Sequence, residues 1–262
     1  MKKPFSIAIV LAMALVSRAQ TIGIQLYSLR DQFQKDVPGT LALIKSWGIT
    51  EIEGEGNFGL SQEEFNKLLF QNGLKVVSVG VEFDDLDKDI DKVIKKAKAF
   101  GAKMVMCALV PHDGDNFTLA YADKAIKVFN ASGEKLAREG LSLCYHAHDH
   151  EFASYEEGSI FDYMAGKMNP KFANFEMDVP LVKESGTDPL KFFNKYSSRI
   201  KMIHFNLKDR KPGTPDSDAG IAELIKAARK AGVKYYFIED ESSRVLQQVP
   251  QTLAFLKPLL SD

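Results

Sequence analysis

Residues 121–152 read YADKAIKVFNASGEKLAREGLSLCYHAHDHEF, and this one stretch holds the repeating unit of the chain. Up to Arg138, the apolar residues Ala125, Val128, Phe129 and Leu136 recur at helical spacing. Glu139-Gly140 then closes the helix, because glycine takes the left-handed C-cap conformation at little cost. Leu141 to His146 follows as a strand, and its end turns abruptly polar.

The same device recurs along the chain. Trp47-Gly48, Asn72-Gly73, Phe100-Gly101 and Ala231-Gly232 each precede a β-rich run. Eight such runs can be counted: Ile22 to Tyr27, Ile49 to Glu53, Leu74 to Gly80, Ala102 to Ala108, Leu141 to His146, Phe172 to Asp178, Ile200 to Asn206 and Val233 to Glu239. Between them lie helical patterns such as Asp87 to Phe100, with Ile90, Val93, Ile94 and Ala97 on one face. Alternating strands and helices predict a parallel sheet covered by helices, and eight of each match a single (β/α)8 TIM barrel. An open doubly wound sheet is the alternative, since periodicity does not show closure.

Composition agrees with one globular domain. The chain has 262 residues, 45% hydrophobic and 26% charged, with no low-complexity or linker segment. Its 34 Lys and Arg against 35 Asp and Glu give a net charge of -1, so no global field gathers nucleic acid. The cysteines, Cys107 and Cys144, read as buried core thiols. At the start, Lys2 and Lys3 precede an apolar stretch from Ile7 to Val16, and Ser17-Arg18-Ala19 follows with small residues at an exit site. This is a secretory signal peptide pattern over residues 1–19, too short to span a bilayer, leaving residues 20–262 as the barrel. The expected address is periplasmic or extracellular, with no stable membrane insertion after cleavage. An exported enzyme meets unphosphorylated sugars and glycosides rather than phosphorylated intermediates.

In a barrel the active site lies at the carboxyl ends of the strands. There the fifth run carries three of the five histidines of the chain within five residues, His146, His148 and His150. Period-2 geometry puts His146 and His148 on the face of Ser142 and Cys144, opposite Leu141, Leu143 and Tyr145. The sixth run places Glu176 and Asp178 on one face, with Asp178 nearer the mouth. The seventh offers His204, then Asn206, Lys208 and Arg210, and the eighth offers Glu239 and Glu241. Converging carboxylates repel one another unless a cation neutralises them or one takes a proton. Imidazole and carboxylate both ligate Zn, Mn and related ions, so His146, Asp178, His204 and Glu239 form a candidate metal set.

These residues resemble the xylose-isomerase-like barrels of the sugar phosphate isomerase/epimerase superfamily. The resemblance is carried by IQLYSLR from Ile24, YHAHDHEF from Tyr145, MDVPLVKESGTDPLKFF from Met177, the stretch from Arg199 to Asp209, and FIEDE from Phe237. It implies one divalent metal (Mn, Zn, Co or Mg) held by ligands from the last four strands, with Asp178, His204 and Glu239 at matching positions. His146 stands where the epimerases carry a glutamate. Arg210, before Pro212-Gly213, matches an arginine that touches substrate oxygens. Lys208, Gln25, Tyr27 and Glu53 complete the candidate substrate contacts. The implied chemistry is proton abstraction next to a carbonyl of an unphosphorylated sugar or keto-glycoside, giving isomerisation, epimerisation or β-elimination. Glu239 is the candidate base, with His148 or Glu151 as the second acid/base group. The alternatives are a secreted sugar-binding barrel without catalysis and a metal-dependent phosphodiesterase of the endonuclease IV type. A small carbohydrate is the expected partner, without nucleic acid, and oligomerisation is left open.

The leader pattern makes one prediction by itself. Amino-terminal sequencing of the native protein should find a mature chain starting near Gln20; an intact Met1 on protein retained in the cytoplasm would contradict it.

Overall fold

A computed structural model describes residues 21–54, 56–114, 116–207 and 215–261. The expected leader and the candidate contacts Lys208 and Arg210 lie outside the described residues. Eight parallel strands form the sheet: β1 (Thr21–Gln25), β2 (Glu51–Gly54), β3 (Lys75–Gly80), β4 (Met104–Cys107), β5 (Ser142–His146), β6 (Ala173–Asp178), β7 (Ile200–Phe205) and β8 (Tyr235–Ile238). They neighbour one another in chain order. Pairing of Ile22 with Tyr236 and Ile24 with Ile238 joins the last strand to the first. The sheet is a closed barrel, which excludes the open doubly wound alternative.

One main helix follows each strand: α1 (Val37–Ser46), α2 (Gln62–Asn72), α3 (Ile90–Phe100), α4 (Leu119–Arg138), α5 (Ile160–Lys167), α6 (Pro189–Tyr196), α7 (Pro215–Ala231) and α8 (Val245–Ser261). Gly48, Gly73, Gly101, Gly140 and Gly232 all have positive φ, between 65° and 86°, as the C-cap reading requires. Among the described residues no helix is long and apolar enough to cross a membrane.

Two local expectations are corrected. The helix expected from Asp87 is broken: Phe83–Lys88 ends, Asp89 leaves helical geometry, and its carboxylate caps α3 through the amide of Lys92 at 3.1 Å. A short acidic side chain that satisfies backbone donors favours such a restart. The first strand stops at Gln25 instead of Tyr27. Its side chain accepts a hydrogen bond from the Tyr27 amide at 2.9 Å and turns Leu26–Leu29 into a 3-10 helix.

Side chains alternate between two apolar layers. Leu143, Tyr145, Phe175, Ile203 and Tyr236 point outward into the large core beneath the helices. Val77, Met106, Cys144, Met202 and Phe237 fill the barrel interior. Cys107 and Cys144 are both buried and free. The interior is tight near Gly23, where an added Cβ would lie 2.5 Å from Phe237 Cδ1 and 2.6 Å from the Glu51 carbonyl oxygen. The Phe237 ring in turn packs edge-on at 5.9 Å from His204. Gly23→Ala should therefore cost about 1–3 kcal/mol by overpacking, read as a lowered denaturation midpoint. An unchanged midpoint would show that this layer has room to spare.

Candidate functional site

The strand registers bring the polar ends to one level. His146 pairs with Glu176 across β5 and β6. A register shift at Phe175–Glu176 then sets Glu176 opposite Met202 and Asp178 opposite His204. Glu239 follows β8, its amide still bonded to the Phe205 carbonyl at 3.1 Å. As a result one ligand atom from each of His146, Asp178, His204 and Glu239 lies within 4.8 Å of the others.

These four residues line a cavity of about 600 Å³ at the carboxyl ends of the strands, with Gln25, Tyr27 and His148 in its wall. His204 is fully buried. Its Nδ1 is 2.8 Å from Glu239 Oε2, and its Nε2 is 3.0 Å from Glu53 Oε1 and 2.9 Å from Glu176 Oε1. Burial alone would lower its pKa, but the charges of Glu176 and Glu239 outweigh it and push the imidazole well above its ordinary value. Burial works to raise Glu239, yet His204 holds that carboxyl below the usual range. Asp178 moves the other way, raised mainly by burial. One of its oxygens accepts the Leu181 amide at 2.7 Å and caps the short helix Val179–Glu184, which fixes the carboxylate at the rim.

Not every expected residue reaches the cavity. Glu151 is turned away from it: its carboxylate accepts the Tyr145 hydroxyl and, at 2.9 Å, the His148 amide. Tyr145 belongs to the outward face of β5, so Glu151 braces the following loop from behind and does not fit the acid/base position expected for it. Glu53 is also corrected. It lies fully buried beneath His204, accepts from Gln25 Nε2 at 3.2 Å, and is no part of the cavity wall, so it is too deep for the substrate contact expected of it. His148 does face the cavity, its ring 5.1 Å from that of His146.

Several residues in or under the site were not singled out. Glu82, Asp85 and Glu184 line the cavity, as does Lys96, which reaches in from α3 and donates to the Gly80 carbonyl at 2.7 Å. Nothing in a helical pattern marks a lysine as one that crosses a strand end. Glu176 carries a signal in its alternation with Asp178, but its depth does not show in the sequence.

The donor set of two imidazoles and two carboxylates suits a divalent transition metal. Its surroundings suit one too, because Glu53 Oε2 is buried without a hydrogen-bond partner and carboxylates outnumber the histidines at the floor. A second group, Glu53, Glu176 and His204, also comes within 4.8 Å, but Glu53 and Glu176 lie beneath the cavity and do not line it.

No family model matches the chain, and no curated protein matches its sequence. Solved structures do match in fold. A sugar phosphate isomerase/epimerase from Parabacteroides distasonis is 22% identical, with 97% of this chain and 100% of that one covered at a TM-score of 0.75. A xylose isomerase-like TIM barrel protein from Mycobacterium smegmatis, in complex with magnesium, is 14% identical, with 92% and 97% covered at 0.70. An AP endonuclease of family 2 from Brucella melitensis is 12% identical, with 91% and 98% covered at 0.68. The chain has the fold of the sugar isomerase/epimerase and xylose isomerase-like barrels. That fold also carries a nuclease, so chemistry has to be argued from the site.

Two of the three cavity histidines, His148 and His204, should titrate apart. Burial and the charge of His146 lower His148 to about 4, whereas His204 is raised. In imidazole nitrogen NMR of metal-free protein, the His148 ring should stay neutral from pH 7 down to about 4 while His204 remains protonated at pH 7. A His148 titrating at the ordinary histidine value would place it in solvent instead of against the wall.

Proposed function

We propose that this protein is an exported, divalent-metal-dependent sugar enzyme that abstracts a proton next to a carbonyl of an unphosphorylated sugar or 3-keto-glycoside. The observation that carries the reading is the convergence of His146, Asp178, His204 and Glu239 at the floor of a sugar-sized cavity. Those four residues would hold the metal. When bound, the metal supplies Lewis-acid chemistry, drawing charge from a carbonyl oxygen and so acidifying the neighbouring C–H bond.

The protein groups then divide the remaining work. Glu239, held ionised by His204, is the base that accepts the proton. His148, neutral and in reach of the same space, is the second proton-handling group. On a 3-keto-hexoside, loss of the C2 proton leaves its electron pair to form a C1–C2 double bond as the C1–O bond breaks. The departing aglycone oxygen takes up a proton. Tyr27 and Leu109, both exposed at the rim, offer apolar surface to a sugar face or aglycone.

The electrostatics support a neutral substrate. Glu82, Asp85, Asp178, Glu184, Glu239 and Glu241 all line the cavity, and Lys96 is the single lysine or arginine among the described lining residues. The balanced charge of the chain, -1 overall, provides no field to gather a polyanion, which weighs against the nuclease reading.

The test is incubation of protein loaded with Mn, Co, Zn or Mg with a 3-keto-glycoside or free keto-sugar in heavy water, followed by NMR. Deuterium should enter the carbon next to the carbonyl of a free keto-sugar, and a 3-keto-glycoside should release its aglycone, with both outcomes lost in Asp178→Ala. Absence of exchange with every keto-sugar tried, alongside turnover of a phosphorylated ketose, would overturn the substrate class.

A further inference from the structure

The candidate metal set occupies one half of the barrel mouth, since His146, Asp178, His204 and Glu239 come from β5 to β8 and the residue that follows. The described wall of the cavity nonetheless divides evenly between that half and the half built on β1 to β4. Eight strands about 4.8 Å apart, tilted by about 36°, close into a ring about 15 Å across. In this ring β3 stands opposite β7, so the end of β3 is the part of the wall farthest from His204. A sugar held at the metal set leaves the β3 end to face whatever that sugar carries.

The far wall has two chemical sides. At β3 the half-buried Lys96 holds the Gly80 carbonyl at 2.7 Å, and an ammonium carries three donors, so this bond does not exhaust it. Beside it Glu82 and Asp85 supply carboxylate acceptors, with Asp85 fixed by Lys92 at 2.8 Å. At β4, the next strand, the wall turns apolar. Met106 pairs in register with Gly80, and Leu109 stands 54% exposed at the rim.

A pyranose ring has the same two sides, an apolar C–H face and an edge of hydroxyls that both donate and accept. We propose that the β3–β4 end of the cavity is a second sugar subsite, with Lys96 as its specificity-determining residue, so that the group carried by the metal-held sugar is itself a sugar. The inference rests on the proposed function and narrows its substrate to a 3-keto-disaccharide. An aromatic aglycone fits Met106 and Leu109 but not their neighbours. Its edge would displace water from an ammonium and two carboxylates without replacing the hydrogen bonds they lose.

The experiment reads binding without turnover, using unoxidised glucosides, which lack the carbonyl. In zinc-loaded protein, isothermal titration calorimetry should find the better-bound of maltose and cellobiose held about tenfold more tightly than methyl glucoside, and phenyl glucoside should not match that gain. In Lys96→Met, shown to be folded by circular dichroism, the gain over methyl glucoside should be lost. If that variant does not fold, manganese-loaded wild-type protein decides: protons of the non-reducing ring of the bound disaccharide should relax faster than those of the reducing ring. No gain for either disaccharide, a gain kept in the folded variant, a larger gain for phenyl glucoside, or equal relaxation of the two rings would overturn the subsite and leave the functional reading standing. Wild-type protein that binds neither zinc, manganese, cobalt nor magnesium, nor any of these glucosides, would overturn both together.

Discussion

Charge neutrality at the floor of the cavity is the constraint that orders everything above and below it. Glu53, Glu176 and Glu239 each lie within 3.0 Å of one ring nitrogen of His204, and Glu53 and Glu176 are sealed from water by the barrel. At an effective dielectric near 20, two unit charges 4 Å apart already interact by about 4 kcal/mol, so such a group cannot be left unbalanced. The observed response is a division of protons. Burial and the nearby Glu176 charge raise Glu53, while the histidines hold Glu176 and Glu239 below the usual carboxylate range despite their burial. The apolar layer beneath, built on Phe237 and Met202, closes the route by which water would screen these charges.

Much of the fold was legible because its punctuation is chemical. Five glycines before strands have the positive φ that their place after a helix demanded, and the alternation in β5 put Cys144 and His146 inside and Leu143 and Tyr145 outside. What escaped was competition between backbone and side chain. Asp89 and Gln25 each satisfy local amides, so α3 starts later and β1 ends earlier than the apolar pattern suggests. Closure was equally hidden, since pairing of the first strand with the last joins residues more than two hundred positions apart.

The site was legible in kind but not in depth. Same-face spacing brought His146, Asp178, His204 and Glu239 into one reading, and the structure gathers them at one floor. Spacing along a strand does not say how far below the rim a residue sits. Glu53 therefore looked like a peer of the rim residues although it lies a layer lower. Glu151 is a different failure. Beyond the last strand residue the period-2 rule lapses, and a 3-10 turn at His150–Phe152 carries its side chain behind the strand. Lys96 comes from a helix whose partly buried lysine looks, in sequence, like any solvated one.

The brace formed by Tyr145 and Glu151 has a consequence for how this barrel can change. It ties the loop after β5 to the outer core, while the histidines of the same strand face the lumen. Scaffold and reagent are thus wired to opposite sides of a single ribbon. Altering the side chain of an inward residue leaves the loop's anchor untouched, whereas altering Glu151 also releases the backbone of His148. A lineage, or a designer, can exchange inward side chains at this mouth one at a time without rebuilding the loop that frames them, so long as Glu151 is kept.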